Sequence, residues 1–157
     1  MPIIKVETIN VNQIFDDAFT ALTQKVSGVE VTRCTDIDFS QKTHRFVVKT
    51  KGMFQGQILA ELEHELLGAI GKGINKGRKL QEAEKILFAM EYLNIVCGRA
   101  LSEINNQTGT SSRLTVPQYI TGKMPEKMSG SGYEELCYQS EYGKLNIKVI
   151  YKLERKG

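Results

Sequence analysis

Glu91 and Asn94 are the residues of this chain whose types and spacing most directly suggest chemistry. A carboxylate can anchor a cation, and an amide can donate and accept hydrogen bonds without ionising. Three residues apart on a helix, they stand roughly 60° apart around the axis and project side by side. Gly98 follows one turn on and has no side chain, so another surface can approach the backbone there. A mid-helix glycine costs about 1 kcal/mol against alanine, which makes a packing or functional use plausible. The spacing Glu-x-x-Asn occurs three times, at Glu7/Asn10, Glu91/Asn94 and Glu103/Asn106. The first falls at a helix start and the third at a helix end, where such residues cap and solvate. On the residues alone, the middle pair is open to two readings, a solvated helix face or a docking and catalytic surface.

The element that positions this pair is a helix predicted over residues 84–105. Ile86, Ala89, Met90, Leu93, Val96, Cys97, Ala100, Leu101 and Ile104 recur at helical spacing and define its buried face. Opposite them run Glu84, Glu91, Asn94, Gly98, Ser102 and Asn105. Upstream, Val11, Ile14, Phe15, Ala18, Phe19, Leu22 and Val26 define a first helix, capped by Asn10 or Asn12 and ended by Gly28. Strands are expected near 29–35, 45–50 and 54–62, and a helix from 63 to about 75. After the motif helix come a polar loop and strands near 114–121, 133–139 and 144–153, the last two joined by a turn at Tyr142-Gly143. The order is a helix and three strands, an inserted helix, then a helix and three strands again. At an offset of 79, Ala21-Leu22-Thr23-Gln24 aligns with Ala100-Leu101-Ser102-Glu103. Asn12, Phe15 and Phe19 then take the places of Glu91, Asn94 and Gly98, so the first helix carries no copy of the motif.

At 157 residues the chain is expected to form one domain over 1–157. The net charge of +3 is scattered, with no basic stripe interleaved with aromatics, and this disfavours nucleic acid as a partner. No apolar run reaches signal-peptide or membrane-span length, which predicts a cytoplasmic protein with no membrane contact. Cys97 lies on an apolar helix face and Cys137 in a strand-like run, so both read as small core residues with reduced thiols. His44 and His64 are isolated in sequence, and no metal-ligand cluster is apparent. Gly71, Gly73 and Gly77 lack the spacing of a phosphate-binding loop and read as a flexible connector.

Taken in order, these phrases resemble the CheX-like members of the CheC/CheX/FliY family of chemotaxis phosphatases. The resemblance starts with the opening helix, which passes through Gly28 into Val29-Glu30-Val31-Thr32. It continues through Lys51-Gly52-Met53-Phe54-Gln55-Gly56-Gln57-Ile58-Leu59-Ala60 and through Glu91-x-x-Asn94-x-x-x-Gly98, the family's signature. Leu114-Thr115-Val116-Pro117 leading to Thr121-Gly122-Lys123, and a closing strand with Ile147-Lys148-Val149-Ile150-Tyr151, complete it. The resemblance implies an α+β fold of pseudo-duplicated helix-plus-three-strand units, forming an extended, mainly antiparallel sheet with packed helices.

It also implies a function. The substrate would be a phosphorylated CheY-like response regulator, and the reaction hydrolysis of its aspartyl phosphate. Asn94 would orient the attacking water, and Glu91 would pair with the regulator's active-site lysine. Gly98, Leu87 and Glu84 would complete the docking face. No metal or cofactor is implied in this chain, and Mg2+ is expected on the regulator. Several relatives pair through sheet edges, so a homodimer is expected, with the C-terminal strands contributing. Family members often carry Asp or Ser where this chain has Leu87. The alternative is therefore a non-catalytic binding module of the same fold, which docks a regulator or another signalling partner.

Overall fold

The stripe of Val11, Ile14, Phe15, Ala18 and Phe19 winds into α1 (Val11–Ser27) in the computed structural model, which describes residues 9–130 and 132–153. Asn10 caps it, its Oδ1 accepting the Gln13 N–H at 3.0 Å, and Gly28 closes it at φ +77°, donating to Gln24 O. Glu7, of the first Glu-x-x-Asn copy, lies outside the described residues. The chain continues through β1 (Thr32–Cys34), β2 (Thr43–Lys51), β3 (Phe54–Glu63), α2 (His64–Ile74) and α3 (Glu82–Thr108). It ends with β4 (Arg113–Leu114), β5 (Gln118–Ile120), β6 (Gly132–Gln139) and β7 (Lys144–Leu153). The strand expected over 114–121 is broken in two around Pro117, which has no N–H to give to a ladder.

All the strands pair antiparallel in one seven-stranded sheet of order β1-β6-β7-β3-β2-β4, with β5 also on β2. The fold is α+β, as expected. The two halves exchange their edges around the central β3–β7 pair: β1 lies on β6 of the second half, and β4 and β5 lie on β2 of the first. Helices cover one face, where Phe46, Val48, Ile58, Leu62, Tyr138, Ile147 and Val149 join Leu93, Val96 and Ile104 in one core. Glu63 ends β3 almost fully buried. Its Oε2 accepts the Ser40 and Gln41 N–H groups at 2.7 Å each, and its Oε1 accepts the Lys144 N–H at 2.7 Å. One carboxylate thus ties the β1–β2 connection and the β6–β7 turn to the start of α2, and these hydrogen bonds offset the cost of its burial.

Several expectations are corrected. Cys34 stands opposite Cys137 across β1 and β6, with Cα atoms 5.3 Å apart, and the two are joined as a disulfide. Only Cys97 is a free buried thiol, and burial pushes its pKa up to about 12. The histidines are neighbours: His44 Nε2 lies 2.9 Å from His64 Nδ1, and His44 Nδ1 lies 3.0 Å from the Tyr119 hydroxyl. The β2–β3 hairpin brings them together by placing His44 opposite Leu62, two residues before His64. Burial and the neighbouring His64 and Lys42 hold the His44 pKa below its ordinary value.

The internal repeat is better aligned at an offset of 78. Val11, Ile14, Phe15, Ala18 and Phe19 are buried, and so are Ala89, Tyr92, Leu93, Val96 and Cys97, each 78 positions later. Gln13, Asp16 and Thr20 are then the counterparts of Glu91, Asn94 and Gly98. Asp16 is engaged inside the fold, accepting from the Tyr138 hydroxyl at 2.6 Å and pairing with Arg33 at 3.6 Å. The first helix still carries no copy of the motif.

Gly71 and Gly73 are not a flexible connector. They lie inside α2, and a Cβ on Gly73 would collide with the Ser27 carbonyl, where α1 ends against α2. Gly73→Ala therefore forces two backbones apart and is expected to cost about 2 kcal/mol or more of stability, read by urea denaturation.

Candidate functional site

Helix α3 begins at Gln81, whose N–H donates to Glu84 Oε1 at 3.0 Å, and ends at Gly109 in the left-handed conformation. Between these caps, Ala89, Tyr92, Leu93, Val96, Cys97, Ala100, Leu101 and Ile104 are buried against the sheet and α1. Tyr92 belongs to this stripe although the periodicity reading left it out; its place three residues after Ala89 and four before Val96 was the available signal. Its hydroxyl lies 2.6 Å from Thr23 Oγ1, a buried hydrogen bond between α1 and α3, and burial raises its pKa.

The opposite face presents the residues singled out from the sequence. Glu91 and Asn94 are both exposed, and neither takes part in a hydrogen bond or ion pair among the described residues. Their Cα atoms are separated by about 4.5 Å along the axis, at one residue per ~1.5 Å of rise. Leu87, one turn before Glu91, is 64% exposed and stands on the same side of the helix. Glu84 is exposed too, but its carboxylate is committed to the capping hydrogen bond, so its primary role is structural. Gly98 is half-buried, and the space a Cβ would take lies 3.4 Å from Leu114 Cδ1. The bare spot on the helix is thus partly shielded by β4 of the same chain.

The far end of the polar stripe is structural. Asn105 Nδ2 donates to Ser112 O at 2.9 Å, and its Oδ1 accepts from Ser112 N and Thr110 Oγ1 at 3.0 and 2.9 Å. Ser112 Oγ in turn accepts the Phe54 N–H at 3.0 Å, so the side chain pins the α3–β4 loop to the start of β3. Two exposed apolar side chains were not assigned to the site by sequence reasoning. Ile95 is 37% exposed on α3, and Val116 is 76% exposed, two residues along from Leu114. Pro117 marks the segment as a sheet edge, but nothing local states which way Val116 faces.

The arrangement suits a protein surface rather than an enclosed substrate. Glu91 offers a carboxylate to a cation, Asn94 an amide with both donor and acceptor free, and Leu87, Ile95 and Val116 offer apolar area. Among the described residues, no group of three or more His, Cys, Asp or Glu side chains is placed to hold a metal ion. None of the described helices is long and apolar enough to cross a membrane.

No family model matches the chain, and no curated protein matches it. Solved structures do. The chemotaxis protein CheX from Desulfovibrio desulfuricans superposes with a TM-score of 0.76 at 14% identity, over 92% of this chain and 100% of that one. CheX from Vibrio vulnificus gives a TM-score of 0.73 at 17% identity, over 92% and 97% of the two chains. A chain of the CheX–CheY–BeF3–Mg2+ complex from Borrelia burgdorferi gives 0.67 at 17% identity, over 92% and 99%. At these identities the shared property is the fold, and the likeness runs through nearly its whole length.

The environment of Gly98 yields a test of what the glycine is for. The Cβ of Gly98→Ala meets only the flexible end of Leu114, and alanine favours the helix by about 1 kcal/mol. Thermal denaturation is expected to show stability unchanged or raised by up to about 1 kcal/mol. A large loss would mean that the glycine serves packing alone.

Proposed function

We propose that this chain is a phosphatase of a CheY-like response regulator, acting on the aspartyl phosphate through α3. The observation that carries the reading is the state of Glu91 and Asn94, exposed, side by side and unpaired, on a fold shared with a CheX solved in complex with CheY, BeF3 and Mg2+. Their counterparts on α1 give the contrast, since Asp16 is held by Tyr138 and Arg33. A side chain left without an internal partner on one helix, where its pseudo-symmetric equivalent is committed, is available to a second molecule.

In this reading the regulator supplies the phosphoryl group and the Mg2+, and this chain supplies geometry. Phosphoryl transfer depends chiefly on positioning and charge stabilisation, so one inserted amide can accelerate it with no covalent intermediate. The Asn94 carbonyl oxygen accepts a hydrogen bond from the attacking water while its NH2 group donates one to a phosphoryl oxygen, which holds the water in line with the P–O bond that breaks, and the water's proton stays with the phosphate formed. Water adds to phosphorus, the aspartyl oxygen leaves with the bonding pair as carboxylate, and inorganic phosphate departs. Glu91 pairs with a regulator lysine and sets the register of α3 over the pocket. Leu87, Ile95 and Val116 bury apolar area around the pair.

The deciding experiment times phosphate release from a phosphorylated regulator. Asn94→Ala is expected to leave stability within about 0.5 kcal/mol and binding intact. It should lower the catalysed rate by roughly a hundredfold, towards the regulator's own rate. Glu91→Ala should weaken binding by roughly tenfold or more. Release that Asn94→Ala leaves unchanged would sink the catalytic reading in favour of a binding module, the reading that Leu87 suits. That module would still lose affinity with Glu91→Ala.

A homodimer belongs to the same proposal, with a narrower interface than the sequence implied. β7 is interior, between β6 and β3, and offers no edge. β1 pairs only with Cys137–Gln139 of β6, so the stretch from Gly132 to Leu136 has no strand on its outer side among the described residues. Antiparallel pairing of this stretch with its copy would make a two-fold interface and cover the edge. Light scattering at micromolar concentration is expected to give twice the chain mass, and a monomer would overturn the assignment.

A further inference from the structure

The Cys34–Cys137 disulfide stands at the end of the sheet, where β1, three residues long, pairs with β6. Its two sulfurs belong to unequally placed residues. Cys137 is 5% exposed, whereas Cys34 is half-buried and forms part of the wall of an open concavity of about 360 Å3. Arg33, Thr35, Asp36, Gln139 and Lys144 form the rest of that wall. A small molecule arriving from solvent therefore meets Cys34 and not Cys137. The third cysteine gives the contrast. Cys97 on α3 is fully buried, burial pushes its thiol pKa well up, and a thiol so placed is inert.

One backbone carbonyl faces both sulfurs. Asp36 O lies 3.6 Å from Cys34 Sγ and 3.4 Å from Cys137 Sγ, and it accepts from Lys144 Nζ at 3.2 Å. The loop that carries it is held in place: Asp36 Oδ1 accepts the Asp38 N–H at 3.0 Å, and Lys144 Nζ donates to Asp38 O at 3.0 Å. A disulfide has no hydrogen to give this carbonyl, but two thiols have. After reduction, two S–H groups and the ammonium would compete for an oxygen with two lone pairs. Ionisation of one cysteine relieves that crowding, and a neighbouring ammonium favours the thiolate. The reduced pair also keeps its place. The three β1–β6 pairings remain, and Arg33 still ties β1 to α1 through Asp16 at 3.6 Å and Asn12 at 3.4 Å.

We infer that Cys34 and Cys137 form a reversible redox site, opened and closed by thiol–disulfide exchange with a small external thiol. The thiolate of that reductant attacks Cys34 Sγ from the concavity. The S–S bond breaks, and Cys137 leaves with the bonding pair as a thiolate close to Lys144. A second reductant thiolate attacks the reductant's sulfur in the mixed disulfide and expels Cys34, which takes up a proton. The protein disulfide gains two electrons, and two reductant thiols become one disulfide. The ammonium speeds the first step, because a thiol of lower pKa leaves faster. Opening the bond frees β1 from a covalent tie across 103 residues of sequence. The site lies at the opposite end of the sheet from β4, which flanks Gly98, and no residue of it lies on α3. The inference therefore stands apart from the phosphatase reading.

Equilibration of the full chain with mixtures of reduced and oxidised glutathione, quenched by acid and read by alkylation and mass spectrometry, tests it. Structural disulfides resist this thiol, so opening without denaturant is the discriminating result. Cys34 and Cys137 are expected to open together in the reducing mixtures and to close again in the oxidising ones. The trapped mixed disulfide should map to Cys34, and Cys97 should stay unlabelled. Reduction should lower Tm by roughly 10 °C, as loss of a cross-link over so long a loop requires, and leave the far-UV spectrum unchanged. Lys144→Gln keeps the backbone N–H that Glu63 accepts, and should slow reduction roughly threefold or more with the folded spectrum retained. A bond that glutathione leaves closed, thiols that its oxidised form fails to join, a mixed disulfide on Cys137, or a Lys144→Gln chain reduced at the parent's rate would each overturn the assignment.

Discussion

The packing of α3 across the sheet, closed on its α1 side by the buried Thr23–Tyr92 hydrogen bond, sets the angle at which everything on the outer face of that helix is presented. Rotating α3 by one residue, about 100°, would carry Glu91 towards the core and bring Tyr92 out of it. The first movement buries an unpaired carboxylate at a cost of several kcal/mol, and the second breaks a satisfied hydrogen bond and exposes a large ring. Glu91 and Asn94 are therefore held outward by what their neighbours bury. No hydrogen bond of their own is spent in doing so, and they arrive at the surface with their polar atoms free.

The sheet gives that helix a rigid floor. Exchange of edge strands between the halves means that neither half completes its sheet without the other, and the central β3–β7 ladder carries the union. Local polar anchors then fasten the connections. Glu63 holds two backbone segments that are distant in sequence, and Asn105 holds the loop after α3 through Ser112 to Phe54. Both are polar residues at element ends, where free backbone N–H groups and carbonyls need partners. The α3–β4 loop leads directly to Leu114, and so the same anchor places β4 against Gly98.

The two faces of the sheet use their polar residues in opposite ways. On the helix side, the buried polar groups described above, Thr23, Tyr92 and His44, have partners. On the other side, Gln57 is satisfied by the backbone of the β5–β6 connection, while Asn146 Oδ1 has no partner among the described residues.

The sequence by itself determined the helices, most of the strands and the acid–amide pair, because each of these rests on a local period. A stripe at 3.6 residues marks α1 and α3, and Asn10 and Gly28 punctuate α1 within a turn. Long-range register was decided only in the tertiary structure. Cys34 and Cys137 are 103 residues apart and carry no local sign of meeting, yet the β1–β6 pairing sets them face to face. The same holds for His44 beside His64, for Gly73 beneath Ser27, and for Asn105, which reads as part of a functional stripe and serves a loop. The row from Arg45 through Glu61 to Asn146 exists only once three strands are aligned. Periodicity states which way a side chain points from its own backbone; what stands opposite depends on strand order, which is set by packing of the whole chain and not by any window of it.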